Sequence, residues 1–459
     1  MTLRIGNAAG FWGDQPDAPR RLVEQARLDY LTLEYLAELT MSILARLREK
    51  DPTAGYAHDF IDTLGQLAQP LADQSQLKVV TNAGGVNPRS CVMAAAKTLC
   101  DLGMHEVKLG AVWGDDLLSN LPKLQQAGCA LANLDTGEPL SSLKQKIVSA
   151  NAYLGAREIA ECLAADARVV ITGRVADASL TVAPAMHTFG WSWNDWDKLA
   201  AASVAGHIIE CGLQASGGFS PFWPEYDLAS AGFPIADLTA DGLFTITKPD
   251  DTTGVVNRET VAQQLVYEIG DPAHYLTPDV DVDFTSVQLK EIERDRVAVR
   301  GAVGRPATDT YKVSLAYQDG FTASGQLLVY GRDCVAKARE CARIIFARLE
   351  TAGYRYDRSL VETLGAGDGV PGIERAESAP PEVVLRVTVH DPRREAVERF
   401  LKELAPLATG GPAGLAGYTV ARGTVRPVFA YWPTLVPKKL VEPRWEVRTA
   451  QAWLAEQQR

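Results

Sequence analysis

Through the first half of the chain, short runs of apolar and β-branched residues alternate with longer stretches whose apolar positions recur every three or four residues. The short runs are LRIG (Leu3–Gly6), LDYLTLE (Leu28–Glu34), KVVTNA (Lys78–Ala83), EVKLGAV (Glu106–Val112) and RVVIT (Arg168–Thr172). Helical patterns such as PRRLVEQAR, YLAELTMSILARLRE and NAYLGAREIAECLAADA separate them. Strands alternating with helices in this way predict parallel βαβ units with right-handed crossovers. The expected fold class is therefore α/β. Residues 1–213 should form a mostly parallel sheet flanked by helices, layered in a Rossmann-like way, with a barrel-like βα array as the alternative.

The pattern changes after Gly217 and Gly218. FSPFWPEYDLASAGFP is rich in proline, glycine and aromatics and reads as a long ordered loop. Further on, SVQLKEI, DRVAVRGAV, TYKVSLAY and ASGQLLVYG alternate apolar and polar residues, and Asp319-Gly320 between the last two predicts a tight antiparallel hairpin. A long helix over 332–353, the strand VVLRVTVH (Val383–His390) and the helix EAVERFLKELAPLA follow. Residues 214–459 are thus expected to form an α+β domain with an antiparallel sheet.

Composition narrows the function classes. The chain has 459 residues, 46 Lys+Arg and 57 Asp+Glu, for a formal net charge of −11. Such a surface repels phosphate backbones and anionic lipid, so neither nucleic acid nor membrane is an expected partner. No apolar run is long enough to span a bilayer, and MTLRIGNAAGFWGD lacks the pattern of a secretion signal, so a cytoplasmic location is expected. The seven cysteines contain no CxxC pair, which leaves zinc-ribbon and thioredoxin-type sites unsupported. Neither a G-x-G-x-x-G fingerprint, a phosphate loop nor a G-x-S-x-G elbow is present, so no NAD, ATP or other cofactor is expected.

In an open parallel sheet, ligands bind beyond the carboxyl ends of the strands. The segments there are GNAAGFWGD with Asn7, Phe11 and Trp12; TNAGGVNP with Asn82, Gly84, Gly85 and Asn87; WGDD; and TGRVAD with Arg174 and Asp177. Each joins small residues to amide or charged side chains and opens a helix. Single loops of this kind are most often plain βα turns; four at one sheet edge suggest a site. In GHIIECGLQASGG, His207, Glu210 and Cys211 fall on one helical face before Gly217 and Gly218, a grouping suited to proton transfer. The alternative is a His–Glu bond that fixes a helix, with Cys211 as core. His-x-x-Glu also supplies two metal ligands, so a divalent metal stays open while no metal residue is assigned. Asn151 reads as a helix cap or a ligand, and Tyr153 and Arg157 share a predicted helix face. Glu34 ends the second strand as a base or a capping acid. His187 lies close in sequence to the expected site. Asp279, Asp281 and Asp283 alternate along a presumed solvated edge strand.

Seven segments in order, IGNAAGFWGD, DYLTLEYLAE, TNAGGVNP, SANAYLGAREIAECL, VVITGRVADASLTVAP, GHIIECGLQASGG and YLTPDVDVDF, resemble the acyclic terpene utilisation (AtuA-like) family. DRVAVRGAVGRP and YWPTLVP extend the resemblance towards the end. It implies a place in the breakdown of branched terpenoid acids or acyl-CoA esters, the CoA being part of the substrate. The family's motif positions fall on Asn7, Asn82, Gly84, Gly85, Asn87, Asn151, Tyr153, Arg174, Asp177, His207, Glu210 and Cys211. Many relatives carry a further ferredoxin-like C-terminal domain, which this sequence is expected to lack. Together these readings predict a lyase- or hydratase-type enzyme of terpenoid or branched acyl-CoA catabolism, working in a strand-end cleft. His207, Glu210, Asp177 and Cys211 would be catalytic; the asparagines, Tyr153, Arg174, the paired glycines, Phe11 and Trp12 would bind a small acyl substrate. The other readings are a non-catalytic acyl-binding or scaffold partner and a hydrolase at the same site. Self-association into a dimer or larger homo-oligomer is expected from the aromatic 219–235 segment.

Overall fold

The computed structural model describes residues 1–370, 372, 380–417 and 423–457. The chain divides into two compact units, one made of residues 1–316 with 431–459 and the other of 317–430. The sequence places a boundary at 213, but strands beyond that point join the sheet begun by the N-terminus.

In the larger unit the predicted strands appear as β1 (Thr2–Asn7), β2 (Tyr30–Leu33), β3 (Lys78–Thr81) and β4 (Lys108–Trp113). An unpredicted β5 (Ile147–Ala152) follows, then β6 (Val169–Thr172). β1, β2, β3, β6 and β4 lie side by side and parallel. Their central residues are buried on both faces, which is why they read as continuous apolar runs. β7 (Ile235–Thr239) and β8 (Phe244–Thr247) then extend the sheet antiparallel from β1. Strands Arg296–Arg300 and Gln288–Glu293 carry it to one edge, and Arg444–Thr449 closes the other beside β4. The result is a ten-stranded mixed sheet flanked by helices; among the described residues no sheet closes into a barrel.

Local chemistry sets the element ends. Asn87 caps the helix Pro88–Asp101 by accepting from the Ser90 N–H at 3.4 Å, and Pro88 occupies the first turn, where no intrahelical donor is needed. The helix Trp196–Glu210 is buried on every side from Leu199 to Ile209, a mostly apolar stretch interrupted by Ser203 and His207. Asn151 lies within β5 and is no cap. The following helix begins only at Arg157, so Tyr153 and Arg157 do not share a helix face.

Asp281–Asp283 forms the middle strand of a three-stranded sheet, so the aspartates do not mark a solvated edge. Asp279 just before it accepts from the Ser179 hydroxyl at 2.6 Å and the Ala156 N–H at 2.9 Å. Asp281 meets His274 at 3.0 Å.

The smaller unit packs the helix Cys334–Thr351 on an antiparallel sheet that includes Glu382–Asp391 and Arg358–Leu364. The expected hairpin at Asp319-Gly320 is absent, because Thr310–Tyr330 runs through as one strand. Gly320 takes φ +83°, and a Cβ there would sit 2.8 Å from the Asp391 carbonyl oxygen. The glycine serves a positive φ and a close backbone approach in place of a turn. All seven cysteines are free.

Candidate functional site

A cavity of about 760 Å³ opens in the larger unit beyond the carboxyl ends of the parallel strands. The β2 end supplies Glu34 and Glu38, the β6 end Arg174 and Asp177, and the end of helix Trp196–Glu210 supplies His207, Glu210 and Cys211. Tyr153 follows β5, Tyr275 comes from a short strand, and Lys312 from the strand beginning at Thr310. Phe11, Leu213, Phe219, Leu276 and Leu435 add an apolar wall.

Arg174 is the hub. Its guanidinium is buried and donates through Nη1 to the Leu36 carbonyl at 2.9 Å, with Asp177 Oδ1 at 2.9 Å and Glu34 Oε1 at 3.9 Å. It also lies over the Tyr153 ring, 4.1 Å from the centroid, while the Lys312 ammonium is 4.9 Å from the same centroid. The Tyr153 hydroxyl donates to Glu38, which Lys312 approaches at 3.8 Å.

Charge separates the carboxyl groups. Burial, reinforced by the neighbouring Asp177 charge, raises Glu34 well above the usual carboxylate range despite Arg174 and the donors Asn82 and Leu36 N–H. Its Oε2 is buried without a partner. Burial also raises Asp177, against the pull of Arg174. Glu38 goes the other way: burial lifts it, but the Tyr153 hydroxyl and the charges of Arg174 and Lys312 bring it below its ordinary value. One cavity thus holds two carboxyl groups shifted up and one shifted down, and a separation in that direction suits acid–base roles.

His207 and Glu210 form a second proton-bearing pair, Nδ1 to Oε1 at 3.0 Å. Burial alone would depress the imidazole; the Glu210 charge and hydrogen bond outweigh it and hold it above its ordinary value. Burial raises Glu210, and the Asp177 charge adds to this. Backbone hydrogen bonds to Leu265 and Gln264 support the raised imidazole, and Glu210 Oε2 is buried without a partner. The ring packs against Tyr275 at 5.7 Å and Phe284 at 5.6 Å. Burial, with Glu210 beside it, pushes the Cys211 thiol up to about 12, so it lines the wall as a thiol and is not primed as a nucleophile.

The geometry divides the expected residues. Phe11, Tyr153, Arg174, Asp177, His207, Glu210, Cys211 and Gly218 line the cavity. The asparagines do not. Asn7 donates to the carbonyls of Ile209 and Glu210, both at 2.8 Å, and Asn82 donates to Glu34 while accepting from the Tyr35 N–H at 2.8 Å. Asn87 holds the Ala54 carbonyl at 2.8 Å, and Asn151 donates to Asp115 at 2.8 Å. Asp115 in turn accepts the Arg174 N–H at 3.0 Å. These amides brace the loops that carry the lining residues.

Gly84 serves packing, since a Cβ there would lie 2.5 Å from the Thr172 carbonyl oxygen; Gly85 and Gly217 are likewise outside the lining. Trp12 stacks edge-on against His58, and His187 sits in the helix Ser179–Phe189 away from the cavity. Sequence reasoning missed Glu38, Tyr275 and Lys312. The alternation of TYKVSLAY could have assigned Lys312 to one strand face, but not to this cavity. Among the described residues no group of three or more His, Cys, Asp and Glu side chains is placed to hold a metal ion.

The sequence model of the family described as "Acyclic terpene utilisation family protein AtuA" matches residues 3–447. The chain belongs to that family. Membership gives it a role in acyclic terpene utilisation. All of the cavity-lining residues lie inside the matched span. No curated protein and no solved structure matches the chain significantly. Among the described residues no helix is long and apolar enough to cross a membrane.

Proposed function

We propose that this family member is an enzyme that moves a proton and water on a branched terpenoid acid or its acyl-CoA ester, in the manner of a hydratase or lyase. The observation that carries this reading is Glu34: a buried carboxyl with a free Oε2, facing a cavity beside Asp177 and sharing Arg174 with it. Two carboxyls around one cation favour a state in which one holds a proton and the other does not. In hydration the ionised partner takes a proton from water, whose oxygen bonds the β-carbon, while the protonated partner delivers its proton to the α-carbon. Water loss runs the same steps backwards. Arg174 opposes the negative charge that builds on the acyl oxygen. His207 and Glu210 supply the second proton relay, and the aromatic and leucine wall takes the hydrocarbon.

The test is solvent deuterium exchange at the α-carbon, together with water addition, over a panel of branched unsaturated and β-hydroxy acids and their CoA esters. Exchange with at least one member is expected, and Glu34→Gln should lower its rate by about 10²–10⁴. A panel that binds without any exchange or turnover would overturn the enzyme reading in favour of an acyl-binding partner.

A further inference from the structure

The balance of charge around the cavity points to what form of substrate enters it. Six carboxyl side chains line it, Asp14, Glu34, Glu38, Asp177, Glu210 and Glu268, against two fixed cations, Arg174 and Lys312. A CoA ester carries a diphosphate and a ribose phosphate, and such groups are held by several lysines and arginines or by helix N-termini. No such set lines this cavity among the described residues. Phosphates drawn into a cleft with low-dielectric walls and only two cations would stay largely uncompensated, and the focused field makes that costly.

One compact anion is matched. Arg174 is buried to 3% side-chain exposure, its Nε has no partner, and the Lys312 ammonium lies 4.9 Å from the centroid of the same Tyr153 ring with 47% of its side chain open. We infer that the cavity takes its substrate as a free, singly charged terpenoid-type carboxylic acid, with the carboxylate held by Arg174 and Lys312, and rejects the same acid when it is carried on CoA. This rests on the proposed function above and narrows it. The hydrocarbon would lie along Leu213, Leu276 and Leu435.

The experiment uses the full chain and three probes: 3,7-dimethyloct-6-enoic acid, its primary amide and its CoA thioester. Calorimetric titration should show the acid binding at least tenfold more tightly than either of the other two. Lys312→Met, at a half-open position, should reduce that preference about tenfold while the melting temperature stays near wild type; Arg174→Lys should reduce it further. A thioester that binds as well as or better than the acid, or a preference unchanged in both variants, overturns the inference alone. If none of the three binds and no α-proton exchange occurs with any acid or ester of the panel, the proposed function falls with it.

Discussion

Asp177 links the two proton-bearing pairs, since its charge acts on both Glu34 and Glu210. Replacing it with Asn removes a negative charge that holds both carboxyls up, so both should titrate at lower pH. The acidic limb of the pH–rate profile should therefore move down, with kcat reduced; an unmoved limb would place Asp177 outside the proton network. Asp115 offers a cleaner pH signal. It is buried, and burial raises it to about 7 against the opposing hydrogen bonds from the Arg174 N–H and Asn151. A carboxyl raised on folding favours the folded state below its unfolded value, and that favour is lost as pH climbs towards 7, at about 1.4 kcal/mol per unit. Asp115→Asn mimics the protonated form and keeps acceptor and donor geometry, so a melting series between pH 4 and 7 should lose part of its downward slope. An identical slope in the variant would show that Asp115 does not titrate there.

At the scale of elements, the site depends on how the helix Trp196–Glu210 ends. Its last carbonyls have no intrahelical partners. Asn7 at the end of β1 supplies them, donating to Ile209 and Glu210 while the Thr32 hydroxyl holds its own oxygen at 3.1 Å. That bond set pins His207 and Glu210 to the parallel sheet. Asn7→Ala leaves the part-buried Glu210 carbonyl unpaired and the Ile209 carbonyl with the Cys211 N–H alone, and the unfolding free energy should fall by about 1–2 kcal/mol. Denaturant melts with an unchanged slope and a lower midpoint would check it; a midpoint within error of wild type would mean water replaces the amide.

The same element shows what the sequence could reveal. His207, Glu210 and the Asn7 loop stand out because titratable groups share one helix face and amide-bearing loops gather at one sheet edge. The direction in which each amide points is fixed by contacts from segments 33 to 202 residues away, the farthest being Asn7 with Ile209. Local pattern carries no trace of that, so four asparagines read as ligands turn out to be braces.

Across the whole molecule, the legible part of the fold was the part whose signal is local. β1, β2, β3, β4 and β6 announce themselves because strands buried on both faces must be apolar throughout. Which sheet a later strand joins is decided by a free edge elsewhere, and β7, β8 and the strands over 288–300 were accordingly assigned to a separate domain. Lys312 and Tyr275 are hidden for the same reason, since they reach the cavity only through that long-range closure, whereas Glu38 opens the helix after β2 and reads there as an ordinary first-turn acid.

The other edge closes from the far end of the chain. Arg444–Thr449 pairs with β4, and the helix Ala450–Gln457 places Trp453 in the core at 0% exposure, its indole N–H donating to the Leu109 carbonyl at 3.0 Å. Trp453 fills space between the sheet and the helix Pro88–Asp101, with Arg89 and Arg448 over its ring. Truncating a buried tryptophan typically costs about 3–5 kcal/mol, from lost transfer energy and the cavity left behind. Trp453→Ala should therefore lower the melting temperature of the larger unit by several degrees, and faster amide exchange should appear first in β4 and Arg444–Thr449. Because β4 borders β6, whose end carries Arg174 and Asp177, the loosened edge should also weaken acid binding at temperatures well below the melt. Exchange that rises uniformly, with binding untouched until global unfolding, would instead make the C-terminal strand a clamp on the entire unit and no local support of the cavity.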